Sequence, residues 1–339
     1  MNPEVTTGAP TAAMEARWAR AGSIFQRQGA LAALVALVLF GVLRYGENFY
    51  SEYNIQEVLR YNAMFGLIAL GMTFVIMTGG IDLSVGAVAA LSSVVLALLS
   101  PHGAEIAIAG AIGAGLVVGL INGGLIAWFK IQPFIVTLAM LLAARGVALI
   151  LADNTNVYVD FASGFMDLDR REFFGLPLRI VIMVAAFVLG SIVLNFTRFG
   201  RHVLAVGGNE DAARLAGLPV ERILLAVYGM SGALAGVAGV LLGWQTATGA
   251  PTEGLGWELS AIAAVVIGGT LLTGGLGSVG TTLVGVVLLG LIFNMLNFEN
   301  GKGVISLSSY WQTVIRGAIL LMVVLLQNQL GRRPITAGA

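Results

Sequence analysis

The stretch Thr78-Gly79-Gly80-Ile81-Asp82-Leu83-Ser84-Val85-Gly86 places a carboxylate between two apolar runs. A close copy, Thr273-Gly274-Gly275-Leu276-Gly277-Ser278-Val279-Gly280, follows another apolar run far downstream. An ionisable side chain in hydrocarbon surroundings is expensive, so a functional reading of Asp82 is the default. The glycines permit backbone shapes that an unbroken helix cannot adopt. A duplicated, Gly-broken apolar segment is the pattern of a transport core. The second copy has Gly277 in place of the acid, so the shared part is the Thr-Gly-Gly break and the Ser-Val-Gly restart.

No constellation for bond-breaking chemistry accompanies these motifs. The sequence holds no Gly-x-x-x-x-Gly-Lys-[Ser/Thr] loop for ATP and no Gly-x-Ser-x-Gly elbow, so no catalytic residue is assigned. Cysteine is absent, which removes a disulfide framework, a thiol nucleophile and a Cys-based metal site. The two histidines, His102 and His202, are far apart in sequence and are read as loop residues, so no metal site is expected.

The elements that must hold the Gly motifs are membrane helices. Of 339 residues, 58% are hydrophobic and 11% charged, against about 25% charged in a soluble domain. Mean hydropathy is +0.91. The expected fold is therefore an all-α polytopic membrane protein embedded in a lipid bilayer. A net charge of zero excludes the basic footprint of a nucleic-acid binder. A span needs about 20 apolar residues. Candidate spans are Ala30–Tyr45, Asn62–Met77, Val85–Leu99, Ile106–Phe129, Pro133–Leu151, Ile180–Phe196, Ile223–Trp244, Leu259–Leu272, Val279–Leu296 and Trp311–Gln327, about ten in all. The segments flanking the Gly motifs are short and read as half-helices. The domain plan is a polar tail over 1–28, a transmembrane unit over 29–328 and a tail over 329–339.

Charge sets the orientation. Arg17, Arg20 and Arg27 precede the first span. Arg198, Arg201, Arg214 and Arg222 occupy the loop 197–222, and Arg332 and Arg333 follow the last span. The positive-inside rule makes all three regions cytoplasmic. The acidic loop 152–178 then lies outside. An even span count with both termini inside satisfies every loop, and both Gly motifs become inward-side turns, a parallel duplication. Within loop 197–222, Asn209 can cap a short helix that begins with Glu210 and Asp211, acids favoured at a helix N-terminus. Gly217 can end that helix, with Pro219 just beyond. A doubly capped helix on a cytoplasmic loop suits docking of a soluble partner; an ordinary solvated connector is the plain alternative.

These segments carry a family resemblance. Asp211-Ala212-Ala213-x-x-x-Gly217 resembles the Glu-Ala-Ala-x-x-x-Gly motif of binding-protein-dependent ABC importer permeases, with Asp for Glu. Residues Gly71 to Gly86, Lys130-Ile131-x-Pro133-Phe134-Ile135-x-Thr137-Leu138, Ala205-Val206-Gly207-Gly208-Asn209 and Glu258 to Gly269 resemble the ribose/xylose/arabinose/galactofuranose branch of that family, in the same order. The resemblance implies a type II importer-like permease in the bacterial inner membrane. It implies three partners: a second permease subunit, identical or paralogous, a cytoplasmic ABC ATPase and a periplasmic sugar-binding protein. ATP and Mg would be bound by the ATPase, leaving no cofactor in this chain. Asn209, Glu210, Asp211, Ala212, Ala213 and Gly217 become the ATPase-coupling helix.

A sugar offers hydroxyls and no charge, so its path calls for polar residues inside the spans. Asn62, Thr73, Thr78, Asp82, Ser84, Asn122, Thr137, Glu258, Asn294 and Asn297 fit by type and place, as do Arg145 and Gln245. For each one the alternative is a helix–helix hydrogen bond or a cap. Asp82 has three roles open to it: capping the helix that begins near Ser84, accepting from Arg145, or lining the path. The capping role is favoured. Arg145 has no acid one helical turn away, and Asp82 is its expected long-range partner. The competing function is an ion-coupled secondary transporter, which would need more intramembrane acids than this sequence contains.

Overall fold

The computed structural model describes residues 12–173 and 175–301, with isolated positions between 311 and 325. The chain is helical almost throughout: α1 Ala12–Tyr45, α2 Glu47–Tyr50, α3 Glu52–Met77, α4 Val85–Leu99, α5 Ala104–Phe129, α6 Pro133–Leu151, α7 Phe165–Asp169, α8 Leu178–Phe196, α9 Arg198–Gly208, α10 Glu210–Leu215, α11 Val220–Thr246, α12 Trp257–Ile267 and α13 Val279–Gly301. Strands are two residues each: β1 Val157–Tyr158, β2 Glu172–Phe173, β3 Leu176–Pro177 and β4 Thr248–Gly249. Antiparallel β1 and β4 pair Val157 with Gly249 and Tyr158 with Thr248, which ties the acidic loop to the segment after α11.

Among the described residues seven helices are long and apolar enough to cross a bilayer, and Gly29–Tyr45 and Trp257–Ile267 are shorter apolar helices. The tenth expected span, Trp311–Gln327, falls mostly outside the described residues, as does the tail 329–339. Boundaries follow local chemistry. Met77 ends α3 because Gly79 turns the chain at φ 81°. Pro133 opens α6 at a position where its missing N–H costs nothing. Helix α1 starts earlier than the apolar run Ala30–Tyr45, so helix continues out of the polar tail.

The core is built around α3, α4 and α11. In the most apolar window of α3, 78% of residues are buried, against 22% in α6. Leu142, Ile150, Leu189 and Phe196 project outward from α6 and α8, the arrangement expected where lipid is the solvent. Helix α5 lies against α11 through glycines. A Cβ at Gly119 would overlap the Tyr228 carbonyl oxygen, and one at Gly232 would overlap that of Gly115. Small residues let membrane helices approach until backbones touch, which is where packing energy between them comes from.

The expectation of half-helices holds for α12. Its 11 residues span roughly 16 Å at 1.5 Å per residue, half of a hydrocarbon core of about 30 Å. The segment before it runs along α4 and delivers it to that depth. The Ala250 N–H donates to Ser93 Oγ at 3.1 Å, and Gly254 abuts Gly86 backbone to backbone.

Candidate functional site

The Asp82 carboxylate is 1% exposed and fully engaged by neutral donors. Oδ1 accepts from the Ser84 backbone N–H at 3.0 Å and from Ser84 Oγ at 2.6 Å. Oδ2 accepts from Ser231 Oγ of α11 at 2.9 Å. Because the Ser84 hydroxyl donates to Asp82, its oxygen is left as an acceptor, and it receives Asn122 Nδ2 of α5 at 3.0 Å. Thr137 Oγ1 of α6 lies within hydrogen-bond distance of the Ile81 carbonyl, 3.2 Å, and of its own Pro133 carbonyl, 2.9 Å. The broken segment is thus held from three helices by side chains that also satisfy its backbone. Such satisfaction is what allows irregular chain at membrane depth. Tyr228, one turn before Ser231, lays its hydroxyl over Gly80, where a Cβ would overlap it.

Among the described residues the carboxylate therefore has no arginine partner, which corrects the expected Asp82–Arg145 pairing. Arg145 lies eight residues beyond Thr137 on α6, about 12 Å along the axis, while Thr137 marks the level of Ile81. At its own level the guanidinium donates to the Pro251 and Glu253 carbonyls. It pins the segment that leads into α12, and Glu258 and Glu253 are the acids in its field.

The second copy sits beside the first. The Gly275 N–H donates to the Met77 carbonyl at 3.0 Å, and Thr73 Oγ1 of α3 meets Thr282 Oγ1 of α13 at 3.0 Å. The two Gly turns therefore lie side by side, at the end of α3 and the start of α13. The Met77 side chain fills the space beside Gly277, where a side chain like that of Asp82 would otherwise point. That difference makes the two halves unequal.

The same end carries the capped helix. Asn209 Oδ1 accepts from the Ala212 N–H at 2.8 Å. Glu210 and Asp211 fill the first turn, with Ala212 and Ala213 following. At the far end Gly217 takes φ 81°. The Leu218 N–H reaches the Ala213 carbonyl and the Gly217 N–H that of Arg214, the two bonds of a Schellman stop. Arg214 pairs with Glu210 at 3.0 Å and also with Glu221 at the start of α11. Leu215 is 90% exposed, a large apolar tip on a six-residue helix that also carries Glu210, Asp211 and Arg214.

The remaining polar positions divide. Asn62, buried in α3, donates to the Val58 carbonyl at 2.6 Å. It borders a small, mostly apolar pocket lined by Tyr61, Phe65, Ser260, Gly290 and Phe293. Thr73 and Thr78 also return their hydroxyls to carbonyls of their own helix, Ala69 and Val75. Asn294 donates to Asn54 Oδ1 at 2.8 Å, joining α13 to α3. Glu258 is half-buried at the start of α12, whereas Gln245 and Asn297 are exposed. Ser231, Tyr228 and Thr282 escaped sequence reasoning. The signal available for the first two was a polar pair three residues apart on one face of an apolar helix. Among the described residues no cluster of His, Asp or Glu could hold a metal ion.

Comparison with known proteins places this geometry in context. Residues 54–324 match the family model described as branched-chain amino acid transport system / permease component. The ribose import permease protein RbsC of Bacillus subtilis is 41% identical over 309 residues, covering 90% of this chain and 94% of the relative. The L-arabinose ABC transporter permease protein AraH of Azospirillum brasilense is 39% identical over 330 residues, covering 96% and 95%. RbsC of Escherichia coli K12 is 36% identical over 313 residues, covering 90% and 94%.

Proposed function

The chain belongs to the branched-chain amino acid transport system / permease component family, and from that membership we propose that it is the permease subunit of an ATP-driven importer of a monosaccharide, with a pentose as the first choice. The observation that carries the proposal is end-to-end similarity to permeases named for ribose and arabinose. The geometry is in keeping with it. Helix α10 offers an apolar tip between charged flanks, the shape a soluble ATPase cleft can grip. The basic end that carries it is cytoplasmic by the positive-inside rule. The opposite end carries the acidic loop and would face a periplasmic sugar-binding protein. A second permease subunit, identical or paralogous, completes the pathway, and ATP and Mg belong to the ATPase.

Within the pathway this chain supplies neutral hydrogen-bonding groups. Asn62 and Ser260, beside the rings of Tyr61, Phe65 and Phe293, combine amide and hydroxyl with aromatic faces, a lining suited to a sugar in transit. The Asp82 network holds the fold of the broken segment and leaves the solute to other groups. The test is reconstitution in liposomes with the ATPase and the binding protein. Uptake of ribose or arabinose that requires all three and ATP supports the proposal. Uptake by this chain alone, driven by an ion gradient without ATP, overturns it.

A further inference from the structure

Where the Gly turns meet, a third glycine segment is wedged against both. Gly207, near the end of α9, lies so close to the end of α3 that a Cβ would overlap the Met77 carbonyl oxygen. The same Cβ would stand 2.6 Å from the Gly275 nitrogen. From the other side, a Cβ on Gly274 would stand 2.8 Å from the Gly79 nitrogen and 2.9 Å from the Gly207 oxygen. Gly79, Gly274 and Gly275 all take positive φ, at 81°, 84° and 75°. Three chain segments that are distant in sequence therefore touch backbone to backbone, closed by the Gly275–Met77 hydrogen bond. Side chains can change rotamer and absorb a displacement. Backbone in direct contact cannot, because close-packed groups transmit strain.

The position of this joint gives it a use. Asn209, the N-cap of α10, is two residues beyond Gly207. Met77 is the last residue of α3, and Gly275 lies between α12 and α13. Helix α10 also meets the start of α11, through the buried Ala213, the turn at Gly217 and the Arg214–Glu221 ion pair, whose side chains are about one-third exposed, 36% and 32%. An ion pair that exposed is worth at most about 1 kcal/mol and yields readily. We infer that the Gly207–Gly274/Gly275–Met77 joint is the stiff transmission of this permease, passing movement of α10 to both Gly turns at once. The inference rests on α10 being the ATPase-docking element.

Gly208 provides an internal control. A Cβ there meets nothing within 4 Å, and its φ lies outside the positive range, so alanine at 208 alters composition without touching the joint. The experiment measures ATPase co-purification, ATP hydrolysis and sugar uptake for the assembled complex carrying Gly207→Ala or Gly208→Ala. In Gly207→Ala, uptake per ATP hydrolysed should fall about tenfold, the size of an overpacking penalty, with the ATPase still bound. Gly208→Ala should stay within about twofold of the parent. Equal uptake in both variants, or equal loss in both, overturns the inference. Failure of the parent chain to bind any ATPase overturns the docking reading instead.

A second measurement does not depend on Gly207→Ala assembling. The sequence has no cysteine, so Gly208→Cys and Leu276→Cys form a unique pair across the joint, both at exposed positions. A joint that moves as one body predicts that a short bifunctional maleimide across this pair leaves uptake within about twofold. Loss of uptake on cross-linking shows that the joint must open, and the inference fails.

Discussion

Replacing Asp82 tests whether the buried carboxylate is a structural clasp. Its oxygens serve three donors: the Ser84 N–H, the Ser84 hydroxyl and the Ser231 hydroxyl. Asp82→Ala strands all three in a site that is 1% exposed. A buried donor left unsatisfied costs about 1–3 kcal/mol. The Ser231 hydroxyl can swing to a carbonyl of its own helix, as serines in helices do. The Ser84 hydroxyl can turn to the Asn122 amide beside it, but the Ser84 N–H has no such escape, and removing a buried charge returns part of the loss. The expected net cost is about 3 kcal/mol. Asp82→Asn keeps an acceptor for Ser84 and presents an amide that Ser231 can accept from, so it should cost only about 1 kcal/mol. The assay is denaturant unfolding of the purified chain in mixed micelles, with Ser231→Ala and Arg145→Gln as second mutations. Asp82 and Ser231 should couple by about 1–2 kcal/mol, whereas Asp82 and Arg145 should add within about 0.5 kcal/mol. An Asp82→Ala midpoint equal to the parent's, or strong coupling to Arg145, would refute the clasp.

Asn209→Ala removes the cap on α10 and should cost about 1 kcal/mol of local helix stability, read as faster amide exchange over 210–215 and weaker ATPase co-purification. Leu215→Asp should abolish ATPase binding while leaving unfolding within about 0.5 kcal/mol of the parent, because a 90% exposed tip carries little of the fold. Gly119→Val should lower the yield of folded chain sharply, since its side chain would collide with the Tyr228 carbonyl oxygen and force α5 from α11; a penalty of about 3 kcal/mol or more is expected, checked by size-exclusion profile and unfolding midpoint. Asp169→Ala should destabilise the loop end by about 2 kcal/mol by leaving the Arg179 guanidinium, 11% exposed, without its carboxylate, measured as increased proteolysis between 160 and 177.

Hydropathy and glycine punctuation carried most of the architecture. The run Val85–Leu99 became α4 and Pro133–Leu151 became α6 with the same limits, because an apolar run bounded by Gly, Pro or polar residues has little choice in a bilayer. The capped α10 was also legible, since N-cap, first-turn acids and stop glycine are local interactions within a few residues of chain. Helix ends were less so. Sequence reasoning began α3 at Asn62, yet the helix starts at Glu52, capped by Ser51 and rich in polar residues. Hydropathy detects the part of a helix that meets hydrocarbon, and helix geometry continues past it.

The pairing of polar groups lay beyond the sequence. Arg145 and Asp82 looked like natural partners because opposite charges in an apolar chain invite that reading. Only the axial offset along α6 separates them, and the carbonyls of residues 251 and 253 are invisible to a charge-matching argument. Ser231 was one hydroxyl among many until the Gly71–Ser231 approach of α3 and α11 brought it to Asp82.

Composition, hydropathy and motif order thus determined by themselves that this chain is an all-α polytopic membrane protein and which family it joins. Each of these depends on free energies that are local or additive along the chain. Tertiary structure alone decided that the two Gly motifs touch, that Gly207 is wedged between them and that Asp82 is held by serines. Those facts depend on backbone contacts between segments up to about two hundred residues apart, and a glycine in sequence does not announce which backbone it was left bare to meet.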